Sequence, residues 1–182
     1  MIDRAPAFMF DNATTYGGAH SGAIISDDKL YRYALWRQWD ASKPGCNFVL
    51  LNPSTADADT DDATIIRLSA RAKQAGFGSL AVTNAYAFRA TSPVTLKTFA
   101  RKGGDPIGPQ NERALFAFAR NAKAVLIGWG THVDEVIPDR QRNLLSFFSA
   151  MGVDVYDLGR NNDGTPKHPL YIAYNVRSVI GL

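Results

Sequence analysis

Cysteine is nearly missing from this chain: Cys46 is the only one in 182 residues. One cysteine excludes an internal disulfide. It also excludes a zinc or iron–sulfur site built from cysteines alone within one chain. A reducing compartment fits best, and a cytoplasmic location is the expectation. Long apolar runs are missing too. None reaches the roughly 18 residues that a membrane helix needs, and Asp3, Arg4 and Pro6 interrupt the N-terminus where a signal-peptide core would lie. No membrane partner is expected. There is no internal repeat and no low-complexity tract. Neither sign of charge dominates: the formal net charge is +3 and the sequence pI is about 9.1. That mild excess permits a nucleic-acid or nucleotide partner without requiring one.

What is present reads as one globular domain over residues 1–182, with 1–45 as an N-terminal loop and hairpin extension. Apolar residues make up 46% and charged residues 20% of the chain, enough for a sizeable core. The stretch Asn47 to Asp57 organises the rest. Phe48-Val49-Leu50-Leu51 is a short continuous apolar run, as in a strand buried on both faces. It stops at Asn52-Pro53, because proline has no N–H for a ladder and biases the preceding residue away from helix. Asn52 is therefore expected at a strand's carboxyl end, followed by the polar cluster Ser54, Thr55, Asp57, Asp59, Thr60, Asp61 and Asp62. Asn52 and Ser54 read as turn or helix caps, or as parts of a site, since ligands of open α/β sheets bind outside the carboxyl ends of strands.

Upstream, Ala23 to Trp39 alternates aromatic residues with Arg32 around the turn pair Asp27-Asp28 and predicts a hairpin. His20 lies in a glycine-rich loop, where it is solvated or serves as a base or ligand. Downstream, Asp61 or Asp62 caps a helix carrying Ile65, Leu68 and Ala72, which Gly76 ends. Strands are predicted near 47–51, 80–83, 124–128 and 153–157. Helices lie between them, one beginning near Pro109 and one running from about Asp139 to Met151. The stretch holding Lys97, Arg101 and Lys102 reads as polar loop, and the tail is expected to pack Ile172, Tyr174, Val176 and Ile180 on the body. This alternation predicts a three-layer α/β/α sandwich around a central four-stranded parallel sheet, with the N-terminal hairpin added. Asn52, Asn84, Trp129 and His168 each fall at or just after the carboxyl end of one strand, and this architecture brings them to one edge. Four acids at 57, 59, 61 and 62 are dense enough to suggest a divalent cation. The spacing lacks the glycine and terminal glutamate of a calcium loop, so no metal is expected.

These residues resemble the uracil-DNA glycosylase superfamily. Asn52-Pro53-Ser54 is similar to its first motif in the subfamilies with Gly-x-Asn-Pro. Val82-Thr83-Asn84-Ala85-Tyr86-Ala87-Phe88-Arg89 resembles the second-strand segment whose asparagine reads the base edge. Val125 to Gly130 resembles the third strand, and His168-Pro169 the last motif. The similarity spans roughly residues 46–172. The whole chain more closely resembles a bacterial and phage domain family of unknown function with the signature Leu-Asn-Pro-Ser-Thr-Ala-Asp. Departures from the glycosylase pattern are Leu170 where serine is usual, Leu51 where glycine is usual, and one cysteine where the cluster-bearing subfamilies have four.

The resemblance implies a nucleobase-recognising protein that hydrolyses the N-glycosidic bond of uracil or a modified base in DNA, without cofactor or iron–sulfur cluster. By resemblance, Asn52 positions the attacking water, Asn84 reads the base edge and His168 donates to the departing base anion. Pro53, Ser54 and Trp129 are expected to line the base, and Tyr86 or Phe88 to stack on it or to serve as packing; Arg89, with Lys97, Arg101 and Lys102, is expected to contact phosphate or to belong to a solvated loop. The alternative is a nucleotide or modified-base binding or processing protein of the same fold without glycosylase activity.

Overall fold

The computed structural model describes residues 20–173. It is a mixed α/β domain around one six-stranded sheet. In chain order the elements are β1 (Ser21–Ile25), β2 (Arg32–Gln38), β3 (Gly45–Leu50), α1 (Ala63–Gln74), β4 (Ser79–Asn84), α2 (Pro93–Arg101), α3 (Asn111–Asn121), β5 (Ala124–Ile127), α4 (Val133–Val136), α5 (Arg140–Ala150) and β6 (Val155–Asp157), with a 3₁₀ turn at Pro169–Tyr171. The spatial order is β1-β2-β4-β3-β5-β6. β3 pairs in parallel with β4 and β5, and β5 with β6.

The hairpin departs from expectation. It is not an appendage to a purely parallel sheet. β2 pairs antiparallel with β4, Leu35 opposite Val82, and β1 extends the same sheet. The reason lies in β4. All six of its residues are buried, so its backbone groups need partners along both edges. β3 satisfies one edge, and the hairpin, arriving from earlier in the chain, satisfies the other.

Period-two alternation along the strands divides the core. Phe48, Leu50, Leu80, Val82 and Leu126 face Ile65, Leu68 and Ala72 of α1. Val49, Val125 and Ile127 face Leu115 and Ala119 of α3 and Leu144 and Phe148 of α5. Ala34 and Ala81 meet Ala114, Ala117 and Phe118 of α3. Cys46 is fully buried, and burial pushes its thiol pKa up, so it packs rather than reacts.

Local signals set the helix ends. The Asp62 carboxylate accepts the Ile65 N–H at 3.0 Å and starts α1. Gly76, at φ 83°, takes the left-handed turn after it. α3 begins at Asn111, two residues beyond Pro109. α2 stands where the sequence reads as loop. Ser92 caps it by accepting the Thr95 N–H, and Pro93 takes its first position. Only Leu96 in α2 is buried, although Leu96, Phe99 and Ala100 follow the spacing of one helix face. Ile172 is buried as expected; Tyr174, Val176 and Ile180 lie outside the described residues.

Candidate functional site

A cavity of about 460 Å³ opens at the carboxyl ends of β3, β4 and β5, the position that open α/β sheets use for ligands. Asn52, Ser54, Asn84, Trp129 and His168 all line it, so the structure brings together five of the residues singled out by sequence. Each is delivered differently. Asn84 is the last residue of β4, in register with Leu50 of β3. Asn52 follows β3 in a loop zipped to the 85–90 segment: the Ala90 N–H donates to Pro53 O, and the Tyr86 N–H to Leu51 O. His168 opens the 3₁₀ turn. That turn is tied to α1 through Arg71, whose Nη2 donates to Ile172 O at 2.6 Å. Gly128 makes room for it, since a Cβ there would sit 2.7 Å from Pro169 Cδ.

Asn84 is the most telling group. It is 1% exposed, and neither its Nδ2 nor its Oδ1 has a partner among the described residues. A buried amide without partners costs free energy, on the order of 1–3 kcal/mol for each group left unmade. Asn84 is among the residues that line the cavity, so a ligand there can supply what the fold does not.

Asn52 is held instead. Its Nδ2 donates to Pro53 O at 2.9 Å and to Ala90 O at 2.8 Å. Two carbonyl acceptors on the nitrogen settle which way the amide points, and they leave the side-chain oxygen as the group available to a water or ligand.

His168 Nδ1 accepts the Leu170 N–H at 3.3 Å. An accepting Nδ1 puts the proton of the neutral ring on Nε2, which makes Nε2 a donor. Burial lowers its pKa, partly offset by the negative charge of Asp62. Imidazole is therefore the resident form at neutral pH. The stability consequence has a definite sign. With the folded pKa below the unfolded value near 6.5, the neutral ring's contribution is complete above that value and is lost as pH falls through the folded pKa. A ¹⁵N-resolved NMR titration of the described fold is expected to show the Nε2–H tautomer at pH 7 and a midpoint for His168 below 6.5. A midpoint at or above 6.5 would contradict this geometry.

Trp129 is buried, and its Nε1 donates to Gln141 Oε1 at 2.9 Å, fixing the ring as a wall of the cavity. Other expected residues are not brought there. Tyr86 is fully buried beyond the end of β4. Its hydroxyl donates to Val133 O at 2.6 Å and accepts the Ile137 N–H, so it braces α4 and α5 rather than meeting a base. Phe88 stacks on Phe99 at a centroid distance of 3.8 Å, the rings nearly parallel, and stays outside the cavity. Pro53 is buried, and its contribution is the carbonyl that anchors Asn52. Arg89 reaches back toward Lys29 O at 3.5 Å and does not line the cavity. Lys97 is paired with Glu135 at 2.6 Å.

The acidic segment has structural work. Asp57 Oδ1 accepts the N–H groups of Asp59 and Thr60, bonds that hold its carboxyl below the usual range. Asp61 pairs with Arg37 at 2.6 Å, and Asp62 caps α1. Among the described residues no group of three or more His, Cys, Asp or Glu is arranged to hold a metal ion.

Sequence reasoning missed four cavity residues that matter chemically: Arg32, Asp62 as a lining carboxylate, Lys167, and Tyr171, which is 84% exposed with its ring 5.8 Å from that of His168. For Arg32 a signal existed, a charge at a strand position otherwise filled by core-type residues. No curated protein and no solved structure matches the chain significantly. One family model matches residues 32–170, a span that contains every residue of the cavity wall just described except Tyr171. The chain therefore belongs to that family, described as protein of unknown function DUF1643.

Proposed function

We propose that the cavity recognises a nucleobase and that the protein hydrolyses the N-glycosidic bond of uracil or a modified base in DNA, on a three-layer scaffold of the uracil-DNA glycosylase type. One observation carries the reading: the amide of Asn84, buried and unpartnered at the cavity wall. A primary amide offers an acceptor and a donor side by side, which complements the N3–H and O4 of a uracil edge.

The other lining groups supply what the reaction needs. Water held by the Asn52 side-chain oxygen attacks the sugar C1′. The C1′–N bond breaks and its electron pair leaves with the base. The Nε2–H of His168 donates to the anionic oxygen that develops on the base; a neutral donor suffices if it is already in position. Asp62, the carboxylate that lines the cavity, can accept the proton that the water loses.

The test is release of free base from single- and double-stranded uracil-containing DNA, with alkaline cleavage at the abasic site as readout. The expected result is base release that Asn52→Ala slows far more than it weakens substrate binding. Nucleotide binding with no base release at micromolar enzyme would instead select the binding or processing alternative.

A further inference from the structure

The cavity contains a cation that base reading leaves without a task. Arg32 is the first residue of β2 and is 2% exposed, yet it lines the same cavity as Asn84. Its Nη1 donates to Ala56 O at 2.5 Å. Its Nε is buried with no partner among the described residues. Asp62 and Asp57 favour its charge from a distance, while Arg89 and Arg37 oppose it. Asp62 caps α1 with one oxygen and Asp57 holds its own turn, and neither forms an ion pair with Arg32 among the described residues. Burial brings the guanidinium pKa down to about 10, so the group remains charged at neutral pH. A buried charge that no contacting anion neutralises is costly, and such a residue is kept where something else brings the counter-charge.

The surroundings suit an oxyanion. Lys167 lines the same cavity from its exposed rim, and Ser54, Thr64 and Ser92 place hydroxyl-bearing residues on the wall. Two cations there face one carboxylate. A guanidinium presents planar paired donors that match phosphate oxygens. The volume falls in the range of small-molecule sites and exceeds what a free base fills. We propose that the cavity binds a phosphate group of its nucleotide ligand through Arg32 and Lys167, beside the base-reading amide of Asn84. The inference rests on the base-recognition reading and extends it from a base to a base carrying its phosphate.

The phosphate belongs either to a free nucleotide or to a strand, and calorimetry separates them. The probes are deoxyuridine, deoxyuridine 5′-monophosphate, a short single-stranded uracil-containing oligonucleotide and inorganic phosphate. The phosphorylated ligands are expected to bind about ten- to a hundredfold tighter than the nucleoside, the range of hydrogen bonds to a charged group. Inorganic phosphate is expected to compete with them. Lys167→Ala, at an exposed position that does not threaten folding, should narrow the gap. Arg32→Gln should close it, and Arg32→Lys should keep part of it. Monophosphate binding at least as tight as the oligonucleotide points to a free nucleotide, and the reverse to a strand; both support the phosphate site. Equal affinity for nucleoside and monophosphate in the unaltered protein would overturn this inference while leaving base recognition intact. Failure of the monophosphate, the oligonucleotide and inorganic phosphate all to bind would overturn it as well. If Asn84→Ala changes no affinity while the phosphate gap persists, base recognition falls and the phosphate site stands.

Discussion

Replacing Asn84 by leucine is expected to stabilise the ligand-free protein and to abolish base recognition. The two effects share one cause. The amide lies buried at the end of β4 with both polar atoms unpartnered among the described residues. Its strand neighbour in register is Leu50, and Val82 and Ile65 line the same cavity. Leucine keeps the branch at Cγ, has no polar atom to leave unmade, and is bulkier than asparagine beside a cavity that Asn84 lines. Removing the desolvation cost should raise stability by about 1–3 kcal/mol. For a domain of this size that is a gain of several degrees in melting temperature, at roughly 2–4 °C per kcal/mol. The same change deletes the donor and the acceptor offered to the base. Affinity for a base or nucleotide should therefore fall by about a hundredfold or more. Asn84→Asp keeps the shape but buries a carboxylate, and is expected to destabilise. Thermal melts and calorimetry on the three proteins decide it. A less stable Asn84→Leu that still binds base with undiminished affinity would make this amide a structural group and end the base-reading assignment.

The edge carrying Asn52, Asn84, Trp129 and His168 was readable because strand–helix alternation sends the carboxyl ends of parallel strands to one side. The four strands and α1, α3 and α5 follow from apolar runs and caps such as Asp62 that act within a few residues. Tyr86 was not readable in the same way. It sits two residues beyond Asn84, and a continuing strand would have kept it on the same face. The strand ends at Asn84, however, and the chain turns Tyr86 towards α4 and α5. Arg32 stood out as a charge in a strand, but where it points was hidden. Its place in the cavity depends on β2 pairing with β4, a contact across about fifty residues that no local pattern records. The hairpin looked like an addition because the need it meets, the open edge of β4, belongs to another part of the chain. α2 was legible and was passed over: Ser92-Pro93 is a helix start, and Leu96, Phe99 and Ala100 follow helical spacing among the cations Lys97, Arg101 and Lys102.

The larger kinetic effect is expected at His168. Its Nε2–H is the donor available to a developing anion, positioned by the Leu170 N–H on the opposite nitrogen and by the anchoring of its turn to α1. Losing one prepositioned donor to a developing anion typically costs about 10²–10³ in rate, or roughly 3–4 kcal/mol. His168→Ala should slow base release by that order. Substrate binding should fall much less, because the donor's interaction strengthens only as charge builds on the base. The variant also loses the turn's side-chain cap, a structural effect of about 1 kcal/mol by analogy with helix caps, which a melt measures separately. His168→Asn keeps a short polar side chain that can both cap and donate, and should recover part of the rate. The pH profile offers a further check. His168 has its pKa lowered by burial, so the unaltered protein should lose no activity through this ring between neutral pH and the ordinary histidine range near 6.5. Single-turnover base release from uracil-containing DNA across that range, for all three proteins, gives the answer. Equal rates in His168→Ala and the unaltered protein would remove His168 from the chemistry, whatever its place in the cavity wall.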